Sequence, residues 1–513
     1  MYMITNIYMI TAIAVIGGAL FGFDISSQSA IIGTAQYKRQ FGATEAGPTS
    51  SQQGGITAAM PGGSFVGSLC SGYLSDKFGR KKTIMVGSVI WMIGSALCAA
   101  SHNIALLVVG RFINGIAIGL CSAQVPVYIT ELAPPRIRGR VVGLQQWAIT
   151  WGILIMFYVS YGCSFIDGTA SFRIPWGLQA VPGILLFIGL LFLPESPRWL
   201  ARKDRWEECL HVLAMVHGKG DEHNPVVVAE YTEIKEMVTF ERENSSVSWV
   251  ELFHKNMLTR TIIACFVQIW SQLTGMNVMM YYIVYVFGMA GKSGNANLVS
   301  SSIQYVINVI MTLPGLWALD HVGRRPLLIG GAICMGTWLF AVGGIMAAHG
   351  RPATPSPTRP PEESWEVSGP ASNAVIACSY LFVASFACTW GPVSWVYPPE
   401  IFPLRVRSMG VALSTSCNWI FNFALGYFVP SSFENIAYKT YFIFAAFCMT
   451  MTIHVFLMFP ETRQKALEEV EQIFLDKIPA WRTRGGTQIH GDNLKTQEEK
   501  MSTQSEITHE EAA

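Results

Sequence analysis

Runs of roughly twenty apolar residues recur from one end of the chain to the other, each closed by a short polar stretch. A bilayer core takes about 20 helical residues to cross, so the pattern predicts membrane spans. Twelve are expected, at roughly 7–32, 54–74, 83–100, 104–129, 140–161, 174–193, 261–288, 297–319, 326–348, 372–397, 405–430 and 437–459. Between the sixth and seventh lies a polar stretch, about 196–258, with clusters such as Arg202-Lys203-Asp204-Arg205. Its apolar residues fall at helical spacing, which predicts short amphipathic helices on the membrane face. The fold class expected is therefore an all-α membrane protein. An N-terminal six-helix bundle (1–195), cytoplasmic linker helices (196–258), a C-terminal six-helix bundle (259–460) and a cytoplasmic tail (461–513) divide it. Beyond about residue 485 the tail is expected to be disordered.

Composition agrees. Only 13% of the 513 residues are charged, against about 25% in soluble domains, and the mean hydropathy is +0.36. A net charge of +1 gives no reason to expect nucleic acid. The eleven cysteines fall mostly inside predicted spans, with no metal-type spacing, and read as small apolar residues. No metal or nucleophile constellation points to an enzyme. Gly291-Lys292-Ser293 has Val286 where a phosphate loop requires Gly, which argues against an ATP-driven pump.

Lys and Arg set the orientation. The short loops sharing a side with the termini hold Lys77, Arg80, Lys81, Lys82, Arg136, Arg138, Arg140, Arg324, Arg325, Arg405 and Arg407. The opposite loops, longer in total, hold only Lys38, Arg39, Arg173, Lys292, Arg351 and Arg359. Both termini are expected in the cytoplasm. One outer loop, about 349–371, is rich in Pro and is expected to be extended rather than folded. The sequon Asn244-Ser245-Ser246 falls in the cytoplasmic linker, so no glycan is expected on it.

The two halves repeat. Asp76-Lys77-Phe78-Gly79-Arg80-Lys81 follows span two, and Asp320-His321-Val322-Gly323-Arg324-Arg325 follows span eight. Glu131 precedes Arg138 by seven residues after span four, as Glu400 precedes Arg407 after span ten. Pro194-Glu195-Ser196 ends span six; Pro460-Glu461-Thr462 ends span twelve. Three matched motifs in one order argue for a parallel six-plus-six repeat.

These motifs, with Gly110-Arg111-Phe112 and Gln272-Leu273-Thr274-Gly275-Met276-Asn277, resemble the sugar porter family of the major facilitator superfamily over about residues 7–475. The wording around Phe21-Gly22-Phe23-Asp24, Ser171-Phe172-Arg173-Ile174-Pro175-Trp176 and Trp270-Ser271-Gln272 is similar to fungal high-affinity glucose and hexose transporters. The resemblance implies uptake of a monosaccharide at the plasma membrane, without a cofactor. It further implies that the charges at inner span ends latch the halves together. Asp76 is expected with Arg80, Asp320 with Arg324 or Arg325, Glu131 with Arg138 and Glu400 with Arg407, beside Glu195 and Glu461. Anchoring by the positive-inside rule alone is the structural alternative.

A hexose needs groups that both donate and accept, and amides do so without the desolvation cost of a charge. Gln268 and Gln272 are four apart, hence on one helix face, and Gly275 permits an unwinding that brings Asn277 inward. Asn418 and Asn422 are likewise four apart, and Gln146 and Asn308 sit inside spans five and eight. The family's hexose-contact positions map onto Gln146, Gln272, Asn277, Asn308, Trp395 and Asn418. Any one intramembrane amide also serves as interhelical glue, and for Gln268 and Asn422 both roles stay open. Trp419 reads as packing. Tyr281 and Tyr282 are read as an outer gate or as packing, and Gly391-Pro392-Val393-Ser394-Trp395 as a helix break that moves. Ser271 departs from the Gln that the family often carries there, so one sugar contact becomes shorter or passes through water.

Asp24 lies inside the first apolar run, where a carboxylate costs several kcal/mol, about 2.5–3.5 on insertion scales. It falls about 8 residues before the outer end of span one, and Arg111 about 7 after the outer end of span four. At about 1.5 Å per residue the two depths match, so the pair can meet. Arg beside a carboxylate favours the ionised form, and withdrawing it favours protonation. The resemblance agrees, since proton-linked sugar porters carry Asp and Arg at these positions. A proton-coupled symporter is expected, with a facilitative uniporter and a non-transporting sugar sensor as alternatives. The partners expected are a small sugar and the lipid bilayer.

Overall fold

The computed structural model describes residues 4–42, 47–134, 137–243, 249–292, 294–354, 360–403, 406–463 and most positions between 470 and 483. The Asn244 sequon and the tail beyond 485 lie outside these residues. Ten helical segments are long and apolar enough to cross a membrane. Two further helices, Ser50–Phe78 and Arg407–Ile436, are longer than most of them but more polar, because they face the interior seam. Together they make twelve spans.

Span one is Ile7–Ala14 with Ile16–Ile31, interrupted at Val15; span two is Ser50–Phe78, capped by the reciprocal Thr49–Gln52 bonds. Spans three to five are Arg80–Ala99, Ile104–Leu132 and Arg138–Cys163. Span six, Ala170–Leu178 with Ala180–Leu191, is interrupted at Gln179. Short helices Pro197–Arg202, Trp206–His217 and Pro225–Glu243 then form the linker. Span seven runs Lys255–Leu273 and resumes as Met276–Tyr281 and Ile283–Met289. Gly275 between them has φ +84°, a left-handed conformation that favours glycine, so the expected unwinding is there. Spans eight and nine are Gly294–His321 and Arg324–His349. Span ten is Pro370–Cys388 with Trp390–Ile401, broken at Thr389, two residues ahead of the expected Gly391-Pro392. Arg407–Ile436 and Lys439–Met458 complete the set as spans eleven and twelve.

An even number of crossings puts both chain ends on one face, here the terminus face; the other is the far face. The Pro-rich loop on the far face departs from the expected extended form. Gly350–Pro352 pairs antiparallel with Trp365–Val367, and Trp365 packs its ring on Tyr438 and donates to the Met346 carbonyl. Pro content reads as extended locally; the partner strand is what folds it back.

Spans one and five approach unusually closely. A Cβ on Gly22 would come within 2.1 Å of the Ile149 carbonyl oxygen and 2.8 Å of the Ile153 nitrogen. Only glycine fits, and backbone meets backbone.

Candidate functional site

The central cavity lies where the two six-span halves face each other. It is lined by Gln146 from span five, Ser271, Gln272 and Asn277 from span seven, Asn308 from span eight, Ser394 and Trp395 from span ten and Asn418 from span eleven. All six amide and Trp positions implied by the family motif therefore share one wall-to-wall space. Phe21 and Ile25 of span one close it on the side of the first half.

The amides hold one another. Gln272 donates to the Asn418 oxygen at 3.0 Å, Asn277 to the Gln272 oxygen at 2.5 Å, and Asn418 to the Gln268 oxygen at 2.6 Å. Gln268 is buried behind this layer, where it also donates to the Ser394 carbonyl at 2.8 Å. Its place in the structure is that of a support for Asn418. Across the seam, Trp395 donates its indole N–H to Gln146 at 3.1 Å. Ser271 reaches back to the Gln268 carbonyl and receives the Asn418 amide at 3.3 Å, so the shorter side chain is absorbed by the network. Asn422 lies one turn toward the far face, beside Tyr281 and outside the cavity lining. The remaining space is about 40 Å³, room for a few waters at most and well below the roughly 300 Å³ of a small-ligand pocket. A ligand of hexose size would have to part these bonds to enter.

Asp24 and Arg111 meet as the depth count expects. The Arg111 guanidinium donates to Asp24 Oδ2 at 2.9 Å, and both side chains are 1% exposed. Its Nε donates to the Ile56 carbonyl at 2.9 Å and its Nη1 to Gln28 at 3.2 Å. Gln28, one turn after Asp24, was missed by the sequence reading; its i+4 spacing was the available signal. Asp24 sits between Phe21 and Ile25, so one helix turn presents the ion pair on one side and the cavity wall on the other.

Both ends of the seam are shut. Toward the far face, Ser29 and Tyr305 hydroxyls meet at 3.0 Å across the halves, and Tyr305 packs on Phe157 at 4.8 Å. Tyr281 and Tyr282, read as gate or packing, are both 1% exposed at this closure, and Tyr282 donates to the Gly426 carbonyl at 2.7 Å. Trp419 does pack edge-on against Phe21, yet its indole also donates across the seam to Ser122 at 3.1 Å.

The terminus face carries two copies of one charge motif. Arg80 holds Glu131 through Nε at 3.0 Å and Nη2 at 3.1 Å, and Asp76 at 3.3 Å. Arg324 holds Glu400 through Nε at 3.1 Å and Nη2 at 2.6 Å. The partners expected for Glu131 and Glu400 thus need correcting. Each carboxylate goes to the Arg that opens the span before its own, in a bidentate fork that matches both oxygens. Arg407 instead donates to the Phe402 carbonyl, and the Arg138 side chain lies outside the described residues. Glu195 accepts from the amides of Arg80, Lys81 and Ser196; Glu461 accepts from those of Arg324, Arg325, Thr462 and Arg463. Ser196 and Thr462, unforeseen, each donate a hydroxyl to the paired carboxylate. Polar contacts also cross the halves here. Arg80 Nη2 donates to Ser408 at 2.9 Å, and Asp320 with Arg324 crowds Gly139, in the field of Arg140.

Known proteins are similar to this chain in sequence and fold. The family profile described as "Sugar (and other) transporter" matches residues 10–474. A high-affinity glucose transporter of Kluyveromyces lactis is 51% identical over 481 residues, covering 93% of this chain and 87% of that one. High-affinity glucose transporter 1 of Candida albicans is 49% identical over 487 residues, 94% of this chain and 88% of that one. Among solved structures, the proton:xylose symporter XylE of E. coli, bound to 6-bromo-6-deoxy-D-glucose, superposes with a TM-score of 0.77 at 27% identity. The match covers 91% of this chain and 99% of XylE.

Proposed function

The chain belongs to the sugar transporter family, and from that premise we propose that it takes up a hexose, glucose foremost, in symport with a proton across the plasma membrane. The termini lie in the cytoplasm on this reading, as the Lys and Arg distribution favours, and the far face is the outer one. The observation that carries the proposal is the buried Asp24–Arg111 pair on the helix turn that also walls the amide cavity.

The mechanism follows from those contacts. Opening the outer seam parts Ser29 from Tyr305 and admits water and sugar. A proton from outside neutralises Asp24 and releases its hold on Arg111. Sugar hydroxyls replace the bonds among Gln272, Asn277 and Asn418, and Trp395 offers a ring face to the apolar side of the pyranose. With sugar bridging both halves, the outer seam closes. The Arg80–Ser408 contact and the Gly139–Arg324 packing then yield on the inner side. Differential contacts of about 1–3 kcal/mol suffice for such a bias. After sugar leaves, Arg111 recaptures Asp24 as the proton departs inward.

A facilitative uniporter is the second reading. Arg111 is held by Gln28 and the Ile56 carbonyl as well as Asp24, a coordination that also suits a fixed structural pair. Uptake of labelled glucose, xylose, galactose and fructose in transporter-null yeast at two pH values, with the external pH recorded, separates the two. Symport alkalinises the medium during uptake and accumulates sugar. Equilibration without alkalinisation would leave the uniporter.

A further inference from the structure

A groove opens on the outside of the first half, at the terminus face, between spans three and six and the first linker helix. Its volume is about 700 Å³. The walls inside the bilayer are apolar, with Val86, Val89 and Leu191 exposed to the surroundings and Phe187 half-buried behind them. The rim at the membrane boundary carries Lys81, Lys82 and Arg205. One carboxylate, Glu195, also lines it, but its oxygens are turned to the backbone amides that open span three. Lys81 lies over the end of span six, donating to the Leu193 carbonyl at 2.8 Å, and Arg205 is bridged to Glu208 at 2.6 Å. Lys82 is exposed and makes no ion pair among the described residues.

An apolar slot at acyl depth below cations at headgroup depth matches one kind of molecule. We propose that this groove is a binding site for an anionic phospholipid, its phosphate at Lys82 and Arg205 and an acyl chain along Val86, Val89 and Leu191. Basic pockets between spans on the cytoplasmic side recognise acidic headgroups in this way, and long Lys and Arg stems lie over apolar surface with the charge at the boundary. The assignment rests on the proposed cytoplasmic orientation, since acidic lipids populate that leaflet; it does not depend on which sugar is carried. The repeat supplies an internal contrast. In the second half Pro326 stands where Lys82 stands, and Arg325 donates to the Phe456 carbonyl while its guanidinium lies over the Phe456 ring. Among the described residues, the first half alone has a cation free of an ion pair at this position. The groove adjoins Glu195 and Arg80, so an occupant supports the inner closure.

Native mass spectrometry of the purified full chain, exchanged with mixed phosphatidylcholine and phosphatidylserine, tests this without any transport readout. The wild type should retain phosphatidylserine preferentially. Lys82→Gln with Arg205→Gln should lower that retention by about 5- to 30-fold, the range for one to two surface charges. Lys77→Gln, a single charge loss at the inner end of span two and outside the groove lining, should leave it unchanged. Equal retention in the double variant and the wild type overturns the proposal, as does an equal loss in Lys77→Gln, which would mean diffuse attraction only. Displacement by glycerophosphoserine at the same concentration as the lipid would also overturn it, by marking a soluble-anion site that ignores the acyl slot.

Discussion

The two halves are near copies at the terminus face and unlike at their centres. Below, each has an Arg forked onto a carboxylate, a second carboxylate capping the backbone, and a hydroxyl completing the set. In the middle, the first half buries a charge pair, Asp24 with Arg111, where the second gathers neutral amides from spans seven and eleven. A repeated scaffold thus keeps its closure and differs at its centre, with a buried ion pair in one half and a cluster of neutral amides in the other.

The largest expected effect tests that difference. Asp24→Asn should abolish concentrative uptake while sugar binding, followed by tryptophan fluorescence, persists; accumulation equal to wild type would break the assignment. Next come the closures. Arg80→Ala strands Glu131 in a site where the pair is only 2% and 6% exposed, and losing one member of a buried pair costs about 3–5 kcal/mol. Arg324→Ala should cost less, since Glu400 is 17% exposed and water can reach it. Thermal unfolding of the two variants in the same detergent ranks them, and the reverse order would mean that burial does not set the difference. On the amide side, Gln272→Ala removes hydrogen bonds of about 0.5–1.5 kcal/mol each, so the KM for glucose should rise by about 3- to 30-fold with accumulation retained at saturating sugar. An unchanged KM would remove Gln272 from the site.

The smallest effect concerns the far face. Glu362, in the turn of the Gly350–Val367 hairpin, is 1% exposed, and burial pushes its carboxyl up to about 7. Glu363, Glu434 and Ser50 surround it, and Lys38 lies in the field of both glutamates. The closed form therefore holds a proton that a hydrated carboxylate would release. Closure is favoured at low pH, weakens as pH rises above about 4.5, and reaches its minimum above about 7. Labelling of a cysteine placed at Ser29, buried in the far-face closure, should rise modestly between pH 5 and 8, and Glu362→Gln should flatten that rise. A rise of the same size in Glu362→Gln would assign the effect to another group.

Periodicity made the twelve crossings legible, and Gly275 and Gly391-Pro392 marked two of the breaks within two residues. The interruption at Val15 falls two residues ahead of Gly17-Gly18, and the one at Gln179 lies between Gly177 and Pro182. Amide spacing placed Gln268 with Gln272 and Asn418 with Asn422 on shared faces. Depth along the span then decides which member of each pair meets the cavity, and that is a tertiary quantity. Glu131 was matched with a near neighbour in the chain, although Arg80, 51 residues away, holds it. Ion pairing follows space rather than sequence, and only the repeat of the motif hinted at the true partner.

The contact at Gly22 has a consequence for how force travels. Asp24 lies two residues beyond it, and Gln146 three residues before the Ile149 carbonyl it touches. With backbone pressed on backbone there, spans one and five behave as one lever. The Asp24 carboxylate and the Gln146 amide are two points on the same rigid arm, so whatever tilts one displaces the other, with no chain of hydrogen bonds needed between them.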